Sequence, residues 1–140
     1  MKATVRHYFL IFLILILVSA TACAVPQLKI SDTVFNCSEG IGSSGFSDCN
    51  LTVYLKIVDY LSSPEYKMLK YQVKCEASFE YLTANSYFVS TTYDNDTVDI
   101  WGTNSTEKIT LHANFGITIN PVYNANVSRL SCKVINVSKY

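Results

Sequence analysis

The chain carries little charge and no excess of either sign. Charged residues make up 16% of its 140 residues, and 11 basic side chains balance 11 acidic ones. Soluble domains usually contain about 25% charged residues. The even balance excludes a generally basic protein that binds nucleic acid. The 49% hydrophobic content excludes intrinsic disorder, and the length fits one domain.

The N-terminal segment has the layout of a secretory signal peptide. Lys2 and Arg6 precede an unbroken apolar run over residues 8–18, and small residues follow at 19–22. The run is shorter than the roughly 20 apolar residues of a spanning helix. We therefore predict a signal peptide over residues 1–24 and one exported domain over 25–140. An uncleaved N-terminal anchor is the alternative, and it also exports the domain.

Two cleavage positions lead to different biology. Ala20–Ala22 is an A-x-A site directly before Cys23, and a small residue before a cysteine resembles a bacterial lipobox. Lipidation of Cys23 would make the protein an envelope lipoprotein, although Ala20 stands where a lipobox usually has Leu. Cleavage after Ala24 would discard Cys23 and release a secreted protein. Either cut removes two basic residues, so nine basic side chains then face eleven acidic ones.

The remaining cysteines predict two disulfides. Cys37, Cys49, Cys75 and Cys132 form an even set in an exported chain, which favours bridges over free thiols. Three pairings are possible, and we favour Cys37–Cys49 and Cys75–Cys132. A zinc site is disfavoured because the sequence has no C-x-x-C spacing and only His112 could assist.

Glycosylation sequons are dense. Composition predicts about two Asn-X-Ser/Thr motifs, yet the chain has six, and we expect them in loops or at strand ends. A glycoprotein is one interpretation, and an Asn/Ser/Thr-rich surface without glycans is the other. The sequon asparagines are Asn36, Asn50, Asn95, Asn104, Asn126 and Asn136.

Alternation of apolar and polar residues predicts an all-β domain. The clearest runs cover residues 70–81 and 108–119, and shorter ones cover 51–57 and 130–134. Weaker strands are expected at 28–35, 87–92 and 97–101, with turns at 62–64, 94–96 and 102–104. About seven short strands without a strong amphipathic helix predict a single antiparallel β-sandwich, immunoglobulin-like or fibronectin-III-like.

The cysteine spacing bears on that class. Both Cys75 and Cys132 have the inward parity of their strands, so a bridge between them would pass through the core, between the two sheets. Their separation suits an immunoglobulin-like domain. Two sequence features of true immunoglobulin domains are missing. The core tryptophan should follow the first cysteine closely, but Trp101 lies far along the chain from Cys75, and Leu130 occupies the position where a tyrosine is expected. The prediction therefore concerns architecture and not family.

Candidate chemistry is sparse. The motif G-x-G-x-x-G over residues 40–45 leads into a strand rather than a helix, so we interpret it as a tethered loop. His112 faces outward without an ordered nucleophile and carboxylate around it. Asp94, Asp96 and Asp99 crowd one predicted turn, but the EF-hand pattern is not in register, so a polar turn is favoured over calcium.

These observations predict a non-enzymatic exported module without catalytic residues, metal or cofactor. Tyr54, Tyr66, Tyr87, Tyr93 and Tyr123 lie outside the main inward sets and suggest a binding surface, although strands favour tyrosine anyway. The expected partner is another protein or a surface glycan, with membrane contact only through a signal or lipid anchor. The main alternative is the Cys23-anchored lipoprotein with a structural or assembly role. A small hydrolase or lipid carrier is a weaker alternative.

Overall fold

A computed structural model describes residues 25–39, 45–84, 88–115 and 122–140. The predicted signal peptide and Cys23 lie outside the described residues, as does most of the glycine-rich loop at 40–45. The described chain contains six strands and one short 3₁₀ helix, Pro64–Met68. The strands are β1 Gln27–Glu39, β2 Phe46–Val58, β3 Leu69–Thr83, β4 Ser90–Trp101, β5 Thr106–Ala113 and β6 Val122–Lys139.

The strands form two antiparallel three-stranded sheets. Sheet I has the order β1-β2-β5, and sheet II has the order β6-β3-β4. A single pairing, Phe46 with Val122, connects the sheets where β6 begins. The predicted antiparallel β-sandwich is confirmed at this level.

The core lies between β2 and β3, the central strands. Odd-numbered residues of β2 from Cys49 to Ile57 are buried, and so are those of β3 from Tyr71 to Phe79. Their even-numbered neighbours face outward, as a strand with period two requires. Phe35 of β1 stacks on Phe79 across the core with ring centroids 5.9 Å apart. The predicted inward sets on β2, β3 and β5 are confirmed as far as Phe115.

The predicted turn at residues 94–96 and the predicted number of strands were wrong. Residues 94–96, predicted as a turn, lie inside β4 and pair with residues 75–77 of β3. Residues 90–92 and 97–101 of the two predicted weak strands are therefore parts of one strand, and the described residues contain six strands rather than about seven. Tyr87, the first residue of the segment predicted at 87–92, lies outside the described residues. Tertiary pairing explains the difference, because β4 aligns with β3 over its whole length whatever the turn propensity of Asp and Asn.

Both predicted disulfides are present. Cys37 is bonded to Cys49, with Cα atoms 4.0 Å apart, and Cys75 to Cys132, with Cα atoms 4.1 Å apart. Each bridge joins residues that lie directly opposite each other on neighbouring strands. The disulfides indicate an oxidising, extracytoplasmic environment.

The expected path of the second bridge was wrong. Cys75 and Cys132 join β3 to β6 within sheet II, whereas the bridge of an immunoglobulin domain joins the two sheets. Cys75 is fully buried, but Cys132 lies on an edge strand and is only partly buried. The inward parity of both cysteines was correct, but parity does not distinguish a neighbouring strand from a facing one.

A buried carboxylate shapes the corner between β2 and the 3₁₀ helix. Asp59 is 4% exposed and accepts hydrogen bonds from the backbone N–H groups of Leu61, at 3.0 Å, and Ser63, at 2.6 Å. Ser62 between them has a positive φ of 52°. The carboxylate thus satisfies two amides of a turn that secondary structure does not pair.

Tyr71 has a buried hydroxyl without a hydrogen-bond partner among the described residues. Burial raises the pKa of its phenol, and the nearby charges of Asp59 and Tyr66 act in the same direction. An unpaired buried hydroxyl is destabilising because it loses its hydrogen bonds to water.

We expect Tyr71→Phe to leave stability unchanged or to raise it by about 1 kcal/mol, because the orphan hydroxyl is removed and the ring retained. Above about pH 10 the unfolded chain ionises this phenol while the folded chain retains the proton, so wild-type stability falls as pH rises through that value. The variant should lose less stability there. Urea unfolding at pH 7 and pH 10.5 measures both effects.

The matched control is Tyr81→Phe, since Tyr81 is only partly buried. A clear loss of stability in Tyr71→Phe at pH 7 would show that the hydroxyl is bonded in the folded protein.

Candidate functional site

The six sequon asparagines all lie outside the core. Asn36 and Asn50 are opposite each other on the outer face of sheet I. Asn95, Asn126 and Asn136 lie on the outer face of sheet II, and Asn104 lies in the β4–β5 turn. The expectation of loops or strand ends was therefore wrong for those inside strands. Their outward parity still leaves the core undisturbed by a glycan.

Asn50 differs from the other sequon asparagines in its contacts. It is only partly exposed, and its amide nitrogen lies 3.4 Å from a carboxylate oxygen of Asp48. Its amide oxygen lies 2.6 Å from Nδ1 of His112 on β5. Both ends of this amide are thus engaged on the outer face of sheet I, whereas Asn36, Asn95, Asn104, Asn126 and Asn136 are exposed.

His112 is exposed, as its parity predicts. Its ring contacts the Asn50 amide, and its backbone N–H donates a 2.7 Å hydrogen bond to the carboxylate of Asp94. That carboxylate therefore engages the main chain of β5 rather than the imidazole. The arrangement connects β4 of sheet II to β5 of sheet I and does not orient the ring for proton transfer.

The three aspartates of β4 do not converge. Asp94 reaches across to β5, Asp96 accepts a hydrogen bond from the N–H of Thr97, and Asp99 forms an ion pair with Lys70 at 3.1 Å. Within the described ranges, no group of three or more His, Cys, Asp or Glu side chains could hold a metal ion.

The outer face of sheet II carries a second ion pair on neighbouring positions of β3. Lys74 lies 2.9 Å from Glu76, and this hydrogen bond lowers the pKa of Glu76 and raises that of Lys74. Solvent-exposed pairs of this kind contribute little to stability and carry no catalytic implication.

The predicted tyrosine surface is dispersed in the structure. Tyr93 lies on the outer face of β4, Tyr123 near the start of β6, Tyr54 on the outer face of β2 and Tyr66 in the 3₁₀ helix. Tyr87 lies outside the described residues. These side chains do not make one binding surface.

A different set of aromatic and apolar side chains is exposed at one end of the sandwich. Trp101 ends β4 and Tyr140 follows β6, and their rings meet edge to face with centroids 5.0 Å apart. Trp101 is 49% exposed and Tyr140 59%. We call this end the aromatic end; it comprises Tyr60, Leu61, Met68, Trp101 and Tyr140, each at least 49% exposed.

Polar contacts hold the aromatic end in place. The ammonium of Lys70 lies 5.4 Å from the centre of the Trp101 ring and also bonds Asp99. The Tyr140 hydroxyl donates a 2.7 Å hydrogen bond to the carbonyl oxygen of Lys67. Trp and Tyr anchors of this kind supply much of the binding energy in protein interfaces.

Gly102, directly after Trp101, packs closely against the 3₁₀ helix. Its φ is +72°, and a Cβ atom there would lie 2.8 Å from the carbonyl oxygen of Lys67. Its N–H donates a 2.8 Å hydrogen bond to the carbonyl of Leu69. Only glycine combines this backbone conformation with this close approach.

Sequence reasoning missed the aromatic end. Its members come from four separate segments of the chain. For Trp101, the sequence indicates only that it lies too far from Cys75 to be the core tryptophan of an immunoglobulin domain. The one local signal was Gly102 directly after Trp101, which marked a turn that would end the strand there.

Comparisons with known proteins add no assignment. No protein-family model, curated protein or solved structure matches the chain. Over the described ranges, no helix has the length and apolarity needed to cross a membrane.

We expect Gly102→Ala to lower the free energy of unfolding by about 2 kcal/mol or more, because a left-handed alanine costs about 1–2 kcal/mol and its methyl group also meets backbone. The single tryptophan makes the local effect visible, so its fluorescence should shift toward that of an exposed indole. Urea unfolding followed by circular dichroism and fluorescence measures both.

Thr106→Ala, at an exposed position just after the same turn, serves as the control. Equal stability of Gly102→Ala and Thr106→Ala would contradict the close approach at Gly102.

Proposed function

We propose that this chain is an exported, non-enzymatic β-sandwich that binds another protein at or outside the cell surface. The proposal includes the signal peptide over residues 1–24, and an immunoglobulin-like or fibronectin-III-like relationship at the level of architecture. One observation carries it, namely the aromatic end built around Trp101 and Tyr140. A surface glycan is the other ligand to be tested.

The composition of the aromatic end supports a binding role. Large apolar side chains are about half exposed or more there, while the core positions of β2 and β3 are almost fully buried. Grouped exposure of this kind in a soluble domain marks an interaction surface more often than scattered single residues do. The sequon asparagines other than Asn104 lie on the two sheet faces, so glycans there would leave most of this end open.

Export is supported independently by the disulfides. Two bridges in a small chain persist in an oxidising compartment and would be reduced in the cytosol. With an N-terminal signal, such a domain would meet its partners outside the cell.

We expect Trp101→Ala to weaken binding of the fluorescently labelled mature domain to cells of its source organism by about tenfold or more, the effect of removing a hot-spot aromatic. Flow cytometry over a concentration series gives the apparent affinity. Pretreating the cells with protease should abolish binding by a protein partner, while glycosidase treatment should abolish binding by a glycan partner.

Tyr123→Ala is the matched control, because Tyr123 is 51% exposed but lies near the start of β6, far from residue 139. An equal loss of affinity in both variants, or the absence of saturable binding by the wild type, would contradict the aromatic end as the binding surface.

The second candidate function is an envelope lipoprotein anchored through Cys23, which the small residue before that cysteine supports. Intact mass and N-terminal sequencing of the mature protein from its native host separate the two candidates. A chain beginning at Val25, with hexose on sequon asparagines, is the expected result for the secreted binding module. A diacylglyceryl group on Cys23 would instead establish the lipoprotein.

A further inference from the structure

A groove separates the two long edge strands on one side of the sandwich. β1 is the outer strand of sheet I and β6 the outer strand of sheet II. Between them lies an open cavity of about 330 Å³. We call it the edge groove; its lining residues are Thr33, Phe35, Leu51, Val127, Ser128, Arg129 and Leu130.

Side chains that point toward the core remain exposed along these edges. Ile30 pairs with buried Leu55, and Val134 pairs with buried Val73, so register places both on the inner faces. Nevertheless Ile30 is 38% exposed and Val134 is 37% exposed. Val137, opposite buried Tyr71, is 48% exposed. The inner faces of β1 and β6 therefore lack the apolar cover that β2 and β3 have.

The backbone on this side of β6 also faces outward. In an antiparallel sheet, two opposite residues with a short Cα–Cα distance do not exchange backbone hydrogen bonds with each other. The Cα atoms of Cys75 and Cys132 are 4.1 Å apart, so these residues form such a pair. The N–H and C=O groups of Cys132 therefore point away from β3. The same holds two residues along in each direction, at Leu130 and Val134, because the register there is continuous.

The same argument applies to β1. Cys37 and Cys49 are 4.0 Å apart, so the backbone groups of Cys37, and those of Phe35 and Thr33 in the same register, point away from β2. From Tyr123 to Lys139, no described strand pairs with the open edge of β6. Two backbone edges thus border one apolar groove.

The charge of β6 decides what kind of strand can occupy the groove. This strand contains Arg129, Lys133 and Lys139 but neither Asp nor Glu. Antiparallel pairing of β6 with β6 of a second copy, centred on Ser131, would place Arg129 opposite Lys133. Like charges in directly opposite positions destabilise a sheet, so charge favours an acidic strand from a different protein.

We propose that the edge groove binds one extended segment of another protein by strand addition. Alternate apolar side chains of that segment fill the space beside Phe35 and Leu130, and acidic side chains between them face Arg129 and Lys133. Main-chain hydrogen bonds to the open edge of β6 supply the affinity, as in other complexes formed by strand addition. This surface is distinct from the aromatic end and therefore extends the proposed function.

The test uses the disulfide-bonded domain and three acetylated ten-residue peptides. The first alternates Val with Glu, the second alternates Val with Lys, and the third is the first with two central prolines. We expect the Val/Glu peptide to bind about tenfold more tightly than the Val/Lys peptide, since complementary charge sets partner choice. The proline peptide should not bind, because it cannot form the ladder.

Amide signals identify the binding site in the same experiment. Titration followed by ¹⁵N-resolved NMR should shift the amides of Leu130, Cys132 and Val134 and leave those of Trp101 and Gly102 unchanged. Arg129→Glu combined with Lys133→Glu should reverse the preference between the Glu and Lys peptides. Trp101→Ala should leave the peptide affinity within about twofold, so failure here is distinguishable from failure at the aromatic end.

Two pairs of variants separate binding from folding. Val134→Pro removes an N–H that points to the open edge and should abolish binding, while Val134→Thr retains that N–H and should bind. Thr33→Trp fills the groove and should abolish binding, while Thr91→Trp on the exposed outer face of β4 should not. Unfolding curves of all four variants check that each is folded.

Several outcomes would overturn the proposal. One is equal binding of the Glu and Lys peptides, and another is the absence of binding by the Val/Glu peptide up to about 1 mM, a very weak affinity. Shifts confined to the aromatic end would also overturn it. A dimer in sedimentation velocity that Val134→Pro dissociates would show that a second copy of this chain occupies the groove.

Discussion

The pairing of β3 on both of its edges organises this domain. Its residues align with β4 on one side and β6 on the other for nearly their full length. Its odd-numbered side chains, from Tyr71 to Phe79, form one wall of the core. Burial of this kind contributes about 1.5–3 kcal/mol for each large apolar side chain. Its neighbours β4 and β6 end at Trp101 and next to Tyr140, so β3 sets the position of these two aromatic residues and of the β6 side of the edge groove.

The cross-strand bridges act on the same arrangement. In a chain-entropy description, closing loops of 12 and 57 residues stabilises a fold by about 3 and about 4 kcal/mol respectively. Each bridge attaches an edge strand to a central one. Edge strands have fewer buried contacts than central strands, so the bridges are placed where the noncovalent packing is weakest. This placement allows β1 and β6 to remain stable with their inner faces partly open.

Sequence periodicity was sufficient for the centre of the fold and insufficient at its edges. β2 and β3 alternate without interruption, and their buried sets were predicted correctly because each has one face on the core. β6 was predicted only over residues 130–134. Its pairing with β3 shifts between Arg129 and Val127 and again between Asn136 and Val134, so apolar residues change parity at both points. Periodicity also could not predict which strand pairs with the strand of Cys75. Alternation shows which face of a sheet a side chain lies on, but it does not show the order of the strands.

The aromatic end could not be predicted for a related reason: Trp101 and Tyr140 are joined only by tertiary structure.

Two of the three register shifts between β6 and β3 lie on either side of the Cys75–Cys132 bridge. Between them, Leu130, Cys132 and Val134 have one phase, while Val127 before them and Val137 after them have the opposite phase. Each shift adds one extra residue to β6, so two of them restore the parity, and Asn126 and Asn136 both face outward although they lie on either side of the bridge. Deleting Ser128, the extra residue of the first of these shifts, with Cys132 still bonded to Cys75, would leave Val127 facing inward and Asn126 outward, because a regular ladder gives them the same faces. Deleting Ser131 instead would turn Leu130 to the outer face and Arg129 toward the core. Deletions in β6 therefore preserve the buried set at its bulges but not between them, a constraint on sequence variation that no single side chain displays.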